Sequence, residues 1–424
     1  MIYDAIVLGA GASGLFFAAA RPPGLSVLLL ERQDRPGRKL LLSGGGKCNL
    51  TNLRVSAANY LCAAPDFPAQ ALQAFTPKDM LALMAKRRIP VEEREHGQIF
   101  CKRGAEELRD LLLGLALAGS GELKTGQEIQ ALYRRAKAAA PANPKALFQA
   151  DPNLPAGAAF AVRANGQSYF SRTLLVASGG PAWPKSGATS FGLRLAKEAG
   201  HEIIPPRPAL TPLRFPPDWP LRGLQGLSLP ARVSLLPDAG ASFNLPLLFT
   251  HQGLSGPACL QISSRLGSES RLRIDFLPGQ NLERMIDQAE GEGGKKQLLP
   301  LLRQQLPERL ALALLEAAGL ESLRSARLAE LSRARRRALA QAFQDFQSKP
   351  LAPDFSRAEA SSGGVSCAGV DPASMQSRMV PGLFFCGEVL DVCGELGGYN
   401  LHWAWASAAS AARAVAALVK RENG

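Results

Sequence analysis

The chain opens on an apolar run, Tyr3 to Leu8, that breaks at Gly9-Ala10-Gly11-Ala12-Ser13-Gly14. Leu15 to Arg21 follows with a helical pattern, and a second apolar run, Leu25 to Leu30, ends in Glu31. This order predicts strand, glycine turn, helix, strand and acid. Residues 66 to 115 alternate helical patterns with short strands. Ala136 to Pro155, rich in Ala, Pro and Lys, predicts an exposed loop inserted between strands. Phe160 to Val162, Tyr169 to Phe170 and Thr173 to Ala177 predict strands that close onto Ser178-Gly179-Gly180.

From Pro205 to Pro278 short strand-like runs rich in Pro and Leu predict a β-rich unit. Leu282 to Gln347 carries Leu, Ala, Arg and Glu at helical spacing. Val380 to Cys386 returns to a buried-strand pattern, and an Ala-rich helix, Trp403 to Lys420, ends the chain. The expected fold is α/β: a Rossmann-like nucleotide-binding domain in two parts, residues 1–190 and 351–424. A β-rich domain at 191–281 and a small basic helical domain at 282–350 interrupt it. There is no internal repeat.

Composition narrows the class. At 424 residues, 46% hydrophobic and 20% charged, the chain has the makeup of a globular protein of more than one domain. No run reaches the ~18 apolar residues of a membrane helix; Ser407, Ser410 and Arg413 interrupt the closest one. Met1 leads straight into a strand pattern, so no signal peptide is expected. The seven cysteines (48, 62, 101, 259, 367, 386, 393) include no CxxC pair. They fit neither a disulfide framework nor a zinc site, and a reducing cytoplasm is expected. The net charge of +13 fits a polyanionic partner such as nucleic acid, or an ordinary basic surface. Between Lys295 and Lys349 there are 11 Lys or Arg against 5 Asp or Glu, so about half of the excess lies in the basic helical insert, where Arg333 to Arg337 are expected to neutralise RNA phosphates or to form a solvated helix face.

The GxGxxG follows a strand, opens a helix, and is followed by an acid at the end of the next strand, which is the context a dinucleotide fold requires. Gly9 permits the tight turn, Gly11 lets the backbone approach a pyrophosphate, and Gly14 lets the helix pack on the sheet. The helix N-terminus offers free N–H groups to phosphate. Glu31 can accept from ribose hydroxyls and disfavours a 2′-phosphate, which leaves FAD or NAD. The basic loop Arg38, Lys39, Ser43 to Gly46, Lys47 and Asn49 can line the rest of an extended dinucleotide, or be a surface turn.

Several blocks resemble the HI0933-like, or aminoacetone-oxidase-like, flavoprotein family. They are Gly37-Arg-Lys-Leu-Leu-Leu-Ser-Gly-Gly-Gly-Lys-Cys-Asn-Leu-Thr-Asn52, Ser178 to Thr189, Phe249 to Pro257, Pro381 to Asp391 and Leu396-Gly-Gly-Tyr-Asn-Leu-His-Trp-Ala404. The resemblance implies FAD, bound by a domain of the two-dinucleotide-binding-domain flavoprotein type that is split by β-barrel-like and helical inserts. It implies that Ala12 and Ser13 meet the pyrophosphate, and that Glu31 and Arg32 meet the ribose end. Lys39, Gly44, Gly45, Gly46 and Asn49 would meet the flavin side, and Ile129 the adenine through its backbone. Gly387 and Glu388 would meet the ribityl chain or pyrophosphate, and Gly398, Asn400 and Leu401 the isoalloxazine edge. The chain departs from the family's Gly-Arg-Val-Phe-Pro at Gly97-Gln-Ile-Phe-Cys101, where Gln98 replaces the Arg.

Three further residues carry candidate chemistry. His251, in a Gly/Ser/Pro-rich loop, can exchange a proton near neutral pH or simply order the loop. Tyr399 can donate a proton or serve as a stacking platform. Cys48, beside Lys47, can be an activated thiol or a packed one. No close cysteine pair supports disulfide-reductase chemistry. No second GxGxxG marks a nicotinamide domain, so NADH or NADPH is expected to dock transiently as electron donor. The expected activity is FAD-dependent hydride transfer. The resemblance extends this to reduction of a uridine in 23S ribosomal RNA, or to amine oxidation or enone C=C reduction on a small molecule. A non-catalytic, flavin-bearing binding factor is the remaining alternative.

Overall fold

The computed structural model describes residues 1–136, 146–237, 240–292 and 296–423. The chain divides into two compact units, Met1–Arg207 with Ala360–Gly424, and Pro208–Glu359. The boundary after Arg207 lies beyond the 190/191 break read from composition, because the helix Phe191–Glu198 buries Leu193, Leu195 and Ala196 in the first unit's core.

In the first unit, β1 (Ile2–Leu8) leads into α1 (Ala12–Ala20) and β2 (Val27–Leu30). β1 runs parallel to β2 on one side and to the long strand Gln167–Val176 on the other. Both β1 and β2 are almost wholly buried, as a parallel sheet covered on both faces requires. Gly121–Lys124 extends the sheet beyond β2, and Leu383–Phe385 from the C-terminal part pairs with residues 174–176. The earlier half of Gln167–Val176 turns back on Phe160–Ala164, which pairs in turn with Ile129–Arg135. The two strand patterns read between 169 and 177 are thus one strand. The helix Tyr399–Asn423 packs its aromatic face on α1, with the Phe16 and Trp405 rings 5.2 Å apart.

One loop assignment is corrected. Of the stretch 136–155, residues 137–145 lie outside the described residues, but Phe148–Asp151 is a strand parallel to Ile129–Arg135. Leu147, Phe148 and Leu154 are buried there. Ala, Pro and Lys dominate the composition, and three apolar side chains suffice to dock the segment.

The second unit has a six-stranded antiparallel sheet and the helices Leu282–Gly291, Leu298–Arg303, Glu308–Ala317 and Arg333–Gln344. Strand and helix residues share one hydrophobic cluster, which joins Val233 and Ile274 of the sheet to Leu310 and Phe343 of the helices.

Candidate functional site

The glycine turn between β1 and α1 is shaped by close backbone approach. A Cβ at Gly14 would stand 2.0 Å from the Gly9 carbonyl oxygen, and one at Gly9 would stand 2.7 Å from the Ala177 carbonyl oxygen. Gly9 has a φ of +105°, which excludes other residues without strain. At Gly11 a Cβ would meet nothing within 4 Å. Gly11 caps α1 without a side-chain hydrogen bond, so the first-turn N–H groups face that open side. Two residues pack tightly and the third leaves room at a helix N-terminus, where a diphosphate fits.

Glu31 braces this turn. Its Oε2 accepts from the Ala10 N–H at 2.8 Å and its Oε1 from the Gln33 N–H at 2.8 Å. Each carboxylate oxygen keeps capacity for a further donor such as a ribose hydroxyl. The Arg32 guanidinium donates to the Gly187 carbonyl at 2.8 Å, which ties the ribose end to the Ser178–Thr189 segment. The backbone of Glu31 accepts from the Gln127 N–H at 2.9 Å, two residues before Ile129. Ile129 itself begins a strand and is paired with Ala164.

The basic glycine loop is a tight irregular turn. Gly44, Gly45 and Gly46 all have positive φ, and Phe100 and the Asn49 nitrogen close against Gly44 while Gly45 stays open. Lys39 reaches across 349 residues to Glu388, at 2.6 Å. The other oxygen of Glu388 accepts from the N–H and hydroxyl of Ser361, at 2.9 and 3.0 Å. Ser361 was not among the expected residues, and neither its sequence neighbours nor its spacing signals it. Gly387 lies against α1: a Cβ there would be 2.6 Å from the Ser13 hydroxyl oxygen.

The same loop meets the start of the C-terminal helix. A Cβ at Gly398 would stand 2.5 Å from the Thr51 carbonyl oxygen and 2.8 Å from Asn49 Oδ1. The Asn49 amide donates to Gln98 Oε1 at 3.0 Å, while its buried Oδ1 has no partner among the described residues. The Asn400 carboxamide is committed to both the N–H and the carbonyl of Gly394, at 2.8 Å each, so it clamps the turn before the helix. Leu401 is half-buried in the first helical turn. Lys39, Gly44–Gly46, Asn49, Gly387, Glu388 and Gly398 are therefore joined with the glycine turn through a connected set of contacts. Buried Thr51 and His402, 2.8 Å apart, support them from behind.

The three candidate acid–base residues separate. Cys48 is fully buried, and a hydrogen bond with the Cys101 thiol together with burial pushes its thiol well up. The activated-thiol alternative is thus corrected, because Lys47 points to solvent while Cys48 faces inward. Tyr399 is buried at the start of the last helix, and burial raises its hydroxyl. His251 is exposed in the hairpin turn between Ser242–Thr250 and Gly253–Ser255 of the second unit.

The arginine run is also corrected in part. Arg336 pairs with Asp287 and with Glu290 at 2.6 Å, and it caps the Leu331 and Leu328 carbonyls. It holds two helices together, while Arg333, Arg335 and Arg337 are exposed.

The model of the HI0933-like protein Rossmann domain matches residues 3–414. A ribosomal RNA dihydrouridine synthase of Haemophilus influenzae is 36% identical over 413 residues, covering 97% of this chain and 98% of that protein. A ribosomal RNA dihydrouridine synthase of Escherichia coli is 34% identical over 410 residues, with 96% of each chain covered. A 3-dehydro-bile acid delta(4,6)-reductase of Clostridium scindens is 30% identical over 435 residues, covering 97% of this chain and 98% of that one.

Proposed function

The chain belongs to the HI0933-like family and is an FAD-dependent oxidoreductase, and from that premise we propose that it reduces a uridine of 23S ribosomal RNA to dihydrouridine. The observation that carries this reading is end-to-end similarity, at 36% and 34% identity, to two proteins named as ribosomal RNA dihydrouridine synthases. The net charge of +13 supports it, since Lys and Arg that neutralise phosphates supply much of a protein's affinity for nucleic acid. No helix among the described residues is long and apolar enough to cross a membrane.

When bound, FAD supplies the hydride; the chain binds and orients. In this reading the first-turn N–H groups at Ala12 and Ser13 take the pyrophosphate, and Glu31 with Arg32 takes the ribose end. The backbone around Ile129 takes the adenine. Lys39 with the Gly44–Asn49 loop, Gly387, Glu388 and the Gly398–Leu401 turn surround the ribityl chain and flavin. NADH or NADPH would serve as electron donor, docking transiently.

Similarity to the bile acid reductase favours a second reading, in which a small enone is the substrate. The two reactions share their chemistry. Uridine C5=C6 and a Δ4,6 double bond beside a 3-oxo group are both conjugated to a carbonyl, so hydride addition gives a stabilised enolate-like anion that then takes a proton. Nucleoside mass spectrometry of ribosomal RNA from cells with and without the gene separates the readings. Loss of dihydrouridine in the deletion is expected; an unchanged level refutes the RNA reading in favour of a metabolite.

A further inference from the structure

We infer that the RNA backbone lies on a cationic surface of the first unit, where the hairpin Val91–Glu93/Gln98–Cys101 meets the glycine loop, and not on the arginine helix. This rests on the RNA reading above.

Six exposed cations converge at the open end of that hairpin: Lys47, Lys86, Arg87, Arg88, Lys102 and Arg103. Backbone contacts bring them together. The Cys101 N–H donates to the Cys48 carbonyl at 3.3 Å, which sets Lys102 beside Lys47. The Lys102 N–H donates to the Pro90 carbonyl at 3.0 Å, and the Arg103 guanidinium reaches the Arg88 carbonyl at 3.2 Å. A Cβ at Gly104 would stand 3.4 Å from the Gly46 carbonyl oxygen. Lys86, Arg87 and Arg88 end the helix Pro77–Lys86, and Arg88 adopts a φ of +56° that turns the chain into the hairpin.

Glu106 and Glu107 begin the helix after Arg103, and the other acids of the same stretch lie elsewhere. Glu93 and the Glu95 turn are at the closed end of the hairpin, since Glu93 pairs with Ile99 and Val91 with Cys101. Glu92 is paired with Arg94. Among the described residues, only Arg103 of the six has a carboxylate within ion-pair distance, Glu107 at 3.3 Å. The Arg333–Gln344 helix differs, because Arg336 is spent on Asp287 and Glu290.

Location adds to charge. The cations flank Gly44–Cys48, the loop read as meeting the flavin side, so a strand held there by its phosphates has its bases within reach of that loop. Unstacked single-stranded or looped RNA suits this arrangement, because phosphate contacts hold the backbone while one base is turned in.

Salt dependence of binding tests the inference, with a fluorescent oligouridine as probe. Each phosphate contact to single-stranded RNA contributes a slope of about −0.7 in log K against log salt, so Arg87→Gln/Arg88→Gln flattens the slope by about 1.4. Lys86→Gln/Lys102→Gln is expected to do the same. Flavin content and the visible spectrum of each variant report folding, and Arg333→Gln/Arg335→Gln/Arg337→Gln is expected to leave the slope unchanged. Unchanged slopes in both hairpin variants overturn the inference, as does flattening confined to the helix variant. Competition by polyglutamate as strong as by oligouridine overturns it in favour of an acidic protein partner. Dihydrouridine formation by the wild type on deproteinised ribosomal RNA is scored separately. Its absence refutes the substrate reading, while the slopes still decide where RNA docks.

Discussion

Glu31→Gln separates bracing of the nucleotide turn from contact with the nucleotide. The Glu31 carboxylate accepts two backbone N–H bonds, from Ala10 and Gln33, at 2.8 Å each. Ala10 sits between Gly9 and Gly11, so this bond pins the turn before any ligand arrives. Hydrogen bonds to a charged acceptor contribute about 1.5–3 kcal/mol each. Gln keeps one oxygen acceptor and turns its NH2 toward the other N–H, so one such bond is lost and two donors oppose each other. A loss of about 2–3 kcal/mol follows. One kcal/mol moves the midpoint by about 2–4 °C in a domain of some 150–250 residues, so the deflavinated variant should melt about 6 °C lower. Thermal unfolding of deflavinated wild type and variant, followed by circular dichroism, measures this directly. A midpoint within about 1 °C of wild type refutes the bracing argument, since such a shift represents only about 0.25–0.5 kcal/mol.

Two further outcomes are expected. His402 is buried, its Nε2–H donates to the Phe75 carbonyl at 3.1 Å, its Nδ1 accepts from the Thr51 hydroxyl at 2.8 Å, and burial lowers it from its usual 6.5 to about 4. Between those pH values the unfolded chain binds a proton that the folded chain refuses, so stability falls as pH drops, by up to about 3 kcal/mol in total. Denaturant titrations from pH 7 to about 4 should show a shallower acid limb in His402→Gln than in wild type; superimposable limbs would sink the assignment. Arg336→Ala removes contacts with two carboxylates and two carbonyls and should cost about 2 kcal/mol, whereas Arg335→Ala on the exposed face should stay within about 0.5 kcal/mol. Equal denaturant midpoints for the two variants would contradict the structural role of Arg336.

The nucleotide turn is legible in the sequence because two of its glycines answer a local backbone demand and the third leaves room for a ligand. Gly9 needs positive φ, Gly14 meets the Gly9 carbonyl, and Gly11 faces open space. Local pattern carries such information. It carries little about contacts between distant segments: the Lys39–Glu388 pair and its Ser361 support join residues 349 and 27 positions apart. The Cys48 and Arg336 readings share one cause. Sequence shows the charge next door but not which side chain faces inward, and burial or an acid from another helix then decides the chemistry. The strand Phe148–Asp151 was hidden for a related reason, since three apolar residues docked it within a stretch of exposed-loop composition.

The C-terminal segment completes the candidate site and does more than cover it. Gly387 fits against Ser13 at the start of α1 only because it lacks a Cβ. Its N–H donates to the Ser407 hydroxyl at 3.0 Å, and its carbonyl accepts from the Trp403 indole at 3.2 Å. One face of the last helix thus fixes the turn that carries Glu388, and Glu388 in turn fixes Lys39 in the N-terminal loop. The Trp405 indole on the same helix donates to the Leu50 carbonyl at 2.9 Å, just past that loop. Cofactor-side residues from both ends of the chain therefore share one set of buried and part-buried bonds. Loosening either end must disturb the other, because the Lys39–Glu388 and Trp405–Leu50 bonds each join a group of one end to a group of the other, and breaking either leaves a donor or an acceptor unpaired.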